Sequence, residues 1–255
     1  MIKTDIKVPI KYTAQDINDA ITSHIPVEYS ELSDVRIIKR TLDAKNKSDL
    51  HYKMTVEISL SEEREAGLLK MKKKVFPSSR AVFSAPKSCL KSSPVVVGAG
   101  PCGLFAALTL AEGGACPIVL ERGLDVDERR KRVDAFNKFS ILDPECNVQF
   151  GEGGAGTYSD GKLKVSSPDA YKSRVIEEFI IAGADAEISY STTAHLGTDK
   201  LSDIVKKIRQ KICALGGKFI FSAKLTDIKI KGGRVAAAVY EKDSKSLEIP
   251  TDNII

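Results

Sequence analysis

The chain has 255 residues, of which 42% are hydrophobic, and a net charge of +5. This is enough for one large or two ordinary folded domains, and no apolar run approaches the roughly 20 residues that a membrane-spanning helix needs. The five cysteines are widely spaced without a Cys-x-x-Cys pair, which argues against a metal site or a disulfide framework and, with no signal peptide at the start, favours a cytoplasmic protein.

Residues 1–62 predict a small α+β domain. An alternating strand at 6–10 is followed by a helical pattern that opens at Thr13. Two further alternating strands, at 35–40 and 52–60, complete the domain. Nothing in these residues indicates a catalytic group.

Residues 63–93 predict a linker, because the pattern loosens into lysines at 70–74 and then into Pro and Ser. Basic residues exceed acidic ones in this first third of the chain, a bias that a nucleic-acid partner would also produce. No interleaved aromatic residues accompany the lysines. We therefore favour a solvated linker over a nucleic-acid partner.

Residues 94–103 predict a phosphate-binding turn. A run of valines breaks into Gly-x-Gly-x-x-Gly and enters a helical pattern at 104–111. Gly98 permits the tight turn, Gly100 leaves room for a pyrophosphate against the backbone, and Gly103 allows the helix to pack closely on the strand. The free amides at the start of that helix would face the anion.

A second apolar strand at 117–121 ends in Glu121, about twenty residues after the first glycine, where an acid accepts hydrogen bonds from a ribose. A βαβ unit whose glycines only make a turn is the alternative, and the acid at this spacing favours a bound dinucleotide. An arginine-rich helix at 126–139 follows. One of its arginines is expected to clamp the pyrophosphate.

The stretch 147–163 is unusually rich in glycine. It contains a second Gly-x-Gly-x-x-Gly at 151–156, but Thr157 to Gly161 cannot begin an apolar-faced helix, so it does not predict a second nucleotide fold. Four glycines in six positions would instead let backbone amides approach a flat or anionic ligand. A flexible surface loop is the alternative.

The remaining residues predict a Rossmann-like α/β domain with a β-meander. A helix capped by Thr198 carries an apolar stripe and ends at Gly216. A strand at 218–222, a hairpin at 225–240 and a strand at 247–249 follow it. The last residues enter an apolar run, so we expect the chain to be the front part of a longer protein and its 94–255 domain to be incomplete.

Four segments together resemble a family of bacterial FAD-dependent dehydrogenases whose substrate is not established. They are Val95–Ala107, Leu120–Gly123, Asn147–Leu163 and His195–Leu201. The resemblance covers essentially the whole chain. It implies an FAD-binding domain of the glutathione-reductase-like type, in which a β-meander replaces one crossover.

The resemblance also implies the cofactor site. Gly98, Gly100, Pro101, Cys102 and Gly103 would hold the FAD pyrophosphate, with Arg129 near the phosphates. Glu121 and Arg122 would bind the adenosine ribose, and the Leu225 backbone would lie near adenine. The flavin side would be formed by Gly153, Gly154, Ala155, Gly156 and Thr157. Cys102 replaces the usual alanine, and we expect it to be a small buried residue.

The predicted activity is that of an FAD-dependent oxidoreductase, with NAD(P)H or an organic small molecule as the electron donor. No acid or base can be assigned, and Asp160, Lys162 and His195 are candidates by location only. Two alternatives remain open: a flavin-dependent protein that acts on RNA through the basic first domain, and an NAD-binding regulator without redox turnover.

Overall fold

A computed structural model describes residues 1–32, 34–71, 74–79, 82–159, 161, 169–191 and 196–255. The chain is a mixed α/β protein with several sheets. The helices are α1 (Ala14–His24), α2 (Glu62–Leu69), α3 (Pro101–Glu112), α4 (Val126–Phe139), α5 (Asp169–Ile181) and α6 (Thr198–Ala214). The strands are β1 (Ile2–Pro9), β2 (Val35–Asp43), β3 (His51–Ile58), β4 (Phe76–Pro77), β5 (Val95–Val97), β6 (Ile118–Leu120), β7 (Lys218–Ile220), β8 (Lys224–Lys231), β9 (Arg234–Lys242) and β10 (Lys245–Pro250).

The described residues divide into two compact units. The first comprises 1–82 with parts of 165–176 and 185–194, and the second comprises parts of 83–164, 177–184 and 195–255. Among the helices that the structure describes, none is long and apolar enough to cross a lipid bilayer.

The first unit has the element order βαββαβ. Its antiparallel sheet has the strand order β2-β3-β1-β4, which is the arrangement of the ferredoxin-like fold. Ile17 and Ile21 of α1 and Leu68 of α2 belong to its hydrophobic core. Because Ile2, Thr4, Ile6 and Val8 of β1 are buried while the intervening residues are not, one sheet face packs in the core and the other is open.

The structure differs from the expectation of a linker over 63–93. Helix α2 and strand β4 lie within this stretch, and Val75 is 2% exposed in the core of the first unit. The capping side chain of Ser61 accepts a hydrogen bond from the Arg64 backbone and begins α2. The α+β fold therefore continues past residue 62.

The second unit contains a parallel sheet with the strand order β5-β6-β7. Residues 253–255 run parallel to β5 on its other side, where the Val95 amide donates to the Asn253 carbonyl at 2.9 Å. Strand β5 is thus the point at which the strand order reverses, and ligands bind at this position in open α/β sheets. The antiparallel meander β8-β9-β10 lies between β7 and residues 253–255 in sequence, as expected.

Helix α6 packs through the apolar stripe that the sequence predicts. Ile204, Val205, Ile208 and Ile212 are all at most 5% exposed. The helix begins one residue earlier than expected, with Gly197 as its N-cap and Thr198 as its first residue. It contacts α3, α4 and β7, all of which belong to the second unit.

Candidate functional site

The glycine turn joins β5 to α3. Gly98 has a φ of +98°, which favours glycine, and its amide donates to the Leu120 carbonyl at 2.7 Å. A Cβ on Gly103 would lie 1.9 Å from the Gly98 carbonyl oxygen, so only glycine allows the helix to pack this close to the turn. These two glycines are required by the fold itself.

Gly100 differs from Gly98 and Gly103, because the fold does not require a glycine at this position. It is the N-cap of α3 with φ −72° and ψ 178°, an extended conformation that any residue adopts, and a Cβ there would meet no atom within 4 Å. Helix α3 starts at Pro101 without a side-chain cap or an acidic residue in its first turn. Its first backbone N–H groups therefore have no intrahelical acceptor, which suits them to bind an anion.

The turn lines a cavity of about 370 Å³. Six predicted site residues lie on its wall: Gly98, Gly100, Glu121, Arg122, Gly154 and Leu225. The glycine-rich stretch contributes Gln149, Phe150 and Gly151 as well. The ends of β5 and β6, the glycine-rich stretch and the start of β8 thus enclose one space.

The glycine-rich stretch also contacts the turn directly. The Gly153 amide donates to the Ala99 carbonyl at 2.8 Å. A Cβ on Gly154 would lie 3.1 Å from Cδ of Pro101 and 3.4 Å from Cα of Gly100. The two glycine motifs of the sequence therefore form a single structural feature.

Glu121 lies at the end of β6 and is 5% exposed. Its Oε2 accepts a hydrogen bond from the Ala99 amide at 2.7 Å, and its Oε1 accepts one from the Gly123 amide at 2.8 Å. Each carboxylate oxygen has further acceptor capacity. The side chain fixes the backbone around the cavity and can still accept hydrogen bonds from a ligand.

Arg122 is held by a carboxylate and a ring. Its Nε donates to Oε2 of Glu145 at 2.6 Å, and its guanidinium carbon lies 4.0 Å from the centroid of the Phe150 ring. Partial burial alone would raise the pKa of Glu145, but hydrogen bonds from Lys224 and Arg122 outweigh it and leave that pKa below its usual value. The Glu145 carboxylate therefore balances two cations beside the cavity.

Arg129 is fully buried, and its guanidinium binds the glycine-rich stretch. Its five hydrogen bonds, of 2.6–3.3 Å, go to backbone carbonyls of residues 147, 148, 151, 152 and 154. A Cβ on Gly151 would lie 2.5 Å from the Arg129 Cδ. Burial lowers the pKa of Arg129, although a guanidinium keeps its charge in proteins.

These contacts account for the guanidinium of Arg129, and its expected place near the phosphates stays a prediction. Its N–H groups point to loop carbonyls because the glycine backbone of 151–154 folds around the side chain, which does not line the cavity. Its neighbours Arg130, Lys131 and Arg132 are exposed, as expected.

Glu152 was not predicted from the sequence, and it is fully buried in the same stretch. Its Oε2 accepts from the Val126 amide at 2.9 Å, at the N-terminus of α4, and its Oε1 lies 2.7 Å from Nε of Arg209 on α6. Burial raises the pKa of Glu152. Helix α4 and the glycine-rich stretch are thus linked in both directions. Arg129 of α4 binds carbonyls of the stretch, and Glu152 of the stretch binds the first amide of α4.

The remaining predicted residues do not line the cavity. Cys102 is exposed, so the expectation of a buried residue is wrong: the second residue of α3 faces away from the strands, whereas Leu104 and Ala107 pack inward. Ala155 and Gly156 are exposed, and Thr157 is 2% exposed. The Thr157 hydroxyl has no hydrogen-bond partner among the residues that the structure describes.

Asp160, Lys162 and His195, the candidates for an acid or base, lie outside the described residues. In the described part of the chain, no group of three or more His, Cys, Asp or Glu side chains is arranged to hold a metal ion.

No family model matches the chain. A curated relative, an uncharacterised protein of Clostridium beijerinckii, is 43% identical over 222 residues. The match covers 86% of this chain and 42% of the relative, so the chain spans less than half of the relative's length.

Several solved structures are similar to part of the chain. The 3-ketosteroid-delta4-(5alpha)-dehydrogenase of Rhodococcus jostii RHA1 is 14% identical, with 68% of this chain and 48% of that chain covered and a TM-score of 0.40. THI4 of Thermovibrio ammonificans is 17% identical, with 64% and 55% covered and a TM-score of 0.42. Thioredoxin reductase of Lactococcus lactis is 16% identical, with 64% and 34% covered and a TM-score of 0.33. Because these TM-scores lie below 0.5, the assignment of the site rests on the strand order and the cavity described above.

Proposed function

We propose that residues 94–255 form the dinucleotide-binding domain of an FAD-dependent oxidoreductase of the glutathione-reductase-like type. The observation that carries the proposal is the single cavity lined by Gly100 of the turn, Glu121 of β6 and Gly154 of the glycine-rich stretch. The meander placed between the third and fourth parallel strands agrees with it.

The residues present fit a dinucleotide. Gly100 is not required by backbone conformation or by packing, and a side chain there would protrude into open space. A bound pyrophosphate would explain why position 100 is a glycine, because the phosphate needs to approach the backbone closely. The uncapped N-terminus of α3 supplies N–H donors and the positive end of the helix dipole.

This proposal assigns a role to each part of the site. The amides at the start of α3 bind the pyrophosphate, and Glu121 accepts hydrogen bonds from the adenosine ribose. Arg122, whose guanidinium carbon lies 4.0 Å from the centroid of the Phe150 ring, would lie beside the adenosine, with the Leu225 backbone near adenine. The stretch 153–157 lies toward the flavin, and Arg129 and Glu152 keep it in shape. Bound FAD would supply the two-electron redox chemistry, with NAD(P)H as the proposed electron donor.

Cofactor titration tests the proposal. FAD is added to the chain while flavin fluorescence is followed, and ADP and NAD are titrated separately by calorimetry. We expect saturable binding of FAD and of ADP, which carries the adenosine and pyrophosphate without the flavin, and weaker binding of NAD. Anaerobic addition of NADH or NADPH should then bleach the visible flavin band. Binding of NAD in preference to FAD, or no binding of either FAD or ADP, would contradict the proposal.

A further inference from the structure

Two basic side chains line the cavity beside β5. Arg122 lies two residues after β6, and Lys224 is the first residue of β8. Among the described lining residues, one carboxylate accompanies them, that of Glu121. The described wall of this cavity therefore carries one more positive than negative charge.

The balance of charge beside an adenosine ribose affects which nucleotide is bound. In dinucleotide-binding folds, an acid after the second strand accepts hydrogen bonds from the ribose 2′-hydroxyl, whereas a nearby arginine accommodates a 2′-phosphate. Glu121 provides the first arrangement, and Arg122, the next residue, offers the second. Taken alone, these two residues leave the preference for a free or a phosphorylated ribose open.

A carboxylate outside this cavity binds both cations. Oε2 of Glu145 lies 2.5 Å from Nη2 of Arg122 and 2.6 Å from its Nε. Oε1 of Glu145 accepts a hydrogen bond from Nζ of Lys224 at 3.0 Å. In the described part of the chain, neither cation forms an ion pair with any other carboxylate. Each oxygen of Glu145 is thus used by one of the two cations.

Glu145 lines an adjoining cavity of about 250 Å³, which shares Arg122 and Lys224 with the first. Partial burial raises the pKa of Glu145, but hydrogen bonds from Lys224 and Arg122 lower it by more, so the carboxylate is ionised at neutral pH. With Glu145 counted, two cations are matched by two carboxylates. No surplus positive charge is left for a further phosphate.

We propose that Glu145 determines the nucleotide specificity of this site by making it select an adenosine without a 2′-phosphate. The inference rests on the proposed function, because it takes the cavity beside β5 as the adenosine site. FAD and ADP have a free 2′-hydroxyl and are accepted. A 2′-phosphorylated nucleotide such as NADP would bring a dianion to cations that are already paired, and this disfavours it. Glu145 acts through Arg122 and Lys224 and does not itself contact the nucleotide.

ADP and 2′-phospho-ADP, which differ by one phosphate, test the proposal. Calorimetry on the full chain at low ionic strength should show that the native chain prefers ADP. In Glu145→Gln this preference should fall at least about tenfold, because Arg122 and Lys224 become free to form charge-assisted hydrogen bonds with the 2′-phosphate. The affinity for ADP should change much less, since its 2′-hydroxyl is uncharged.

Glu128→Gln is the matched control. It removes an equal charge and breaks a surface ion pair of 2.5 Å with Lys131, but neither residue lines either cavity. This variant should keep the native preference for ADP. Adding Arg122→Gln and Lys224→Gln to Glu145→Gln should restore the preference, because the freed cations are then removed.

The outcomes separate this inference from the proposed function. Binding of ADP with an unchanged preference in Glu145→Gln would overturn the inference and leave the proposed function standing. An equal loss of preference in Glu128→Gln would assign the effect to net charge and also overturn it. So would a loss that persists after both cations are replaced. No binding of ADP by the native chain would overturn the proposed function and the inference together.

Discussion

Replacing Arg129 with methionine tests whether one buried cation holds the glycine-rich stretch in place. The substitution keeps much of the side-chain volume but removes five hydrogen bonds to backbone carbonyls. A hydrogen bond to a charged group contributes about 1.5–3 kcal/mol, and each buried carbonyl left without a donor costs about 1–3 kcal/mol. Removing the cation also removes its desolvation penalty, which offsets part of this loss.

We therefore expect Arg129→Met to lower the free energy of unfolding of the second unit by about 3–5 kcal/mol. Urea unfolding measures this loss. Hydrogen exchange should show faster exchange at the amides of residues 147–154 than in the native chain, at urea concentrations where the fold persists. Arg129→Lys should be intermediate, because an ammonium has three donors in place of the planar fork of five.

Arg130→Met is the matched control, because Arg130 is the next residue of the same helix and is exposed. Surface substitutions of this kind change stability by about 0.5 kcal/mol or less. If Arg129→Met and Arg130→Met were equally stable and exchange in 147–154 were unchanged, the loop would not depend on the guanidinium and the reasoning would be refuted.

Two further predictions concern the two units separately. In the second unit, Gly103→Ala places a Cβ 1.9 Å from the Gly98 carbonyl oxygen, so it should destabilise the fold by about 3 kcal/mol, the upper end for overpacking; an unchanged unfolding midpoint would contradict the packing described. In the first unit, hydrogen bonds from Arg64 lower the pKa of Glu31 from 4.5 to about 2. The depressed pKa contributes stability that is complete above the unfolded value and is lost as the pH falls through about 2. Thermal unfolding from pH 6 to pH 2 should show a smaller loss in Arg64→Gln than in the native chain, and parallel curves would exclude this ion pair as a contributor.

Much of the second unit could be predicted from the sequence, because its local signals agree with its tertiary packing. The structure has the valine strand β5, a helix that includes the predicted 104–111, and a strand that ends just before Glu121. The stripe of α6 is buried as its spacing predicts. The two glycine motifs share a cavity, which the sequence suggested only through their common ligand.

The completion of the first unit could not be predicted. Helix α2 contains four charged residues in succession at 62–65 and one buried residue, Leu68, so it lacks a clear apolar stripe. Strand β4 has two residues and ends at Pro77, too short for an alternating pattern. Both elements are stabilised by tertiary contacts that local sequence does not encode.

The burial of Arg129 and Glu152 could not be predicted from composition. Arg129 stands within a run of basic residues, and composition alone suggests a solvated face. Its position carried a usable signal, because Val126, Arg129 and Val133 share one face of α4 and all three are buried. Glu152 carried no comparable signal, since its partners Val126 and Arg209 are distant in sequence.

The measurement that tests the central claim most directly is the FAD dissociation constant of Gly100→Ala. A Cβ on Gly100 has open space and an ordinary backbone conformation, so the unfolding midpoint should not change. FAD binding should weaken at least about tenfold, because the new methyl group occupies the place of the pyrophosphate. Gly67→Ala, another glycine with open space around its Cβ but in α2 of the first unit, should bind FAD as the native chain does. Native affinity in Gly100→Ala would contradict the account.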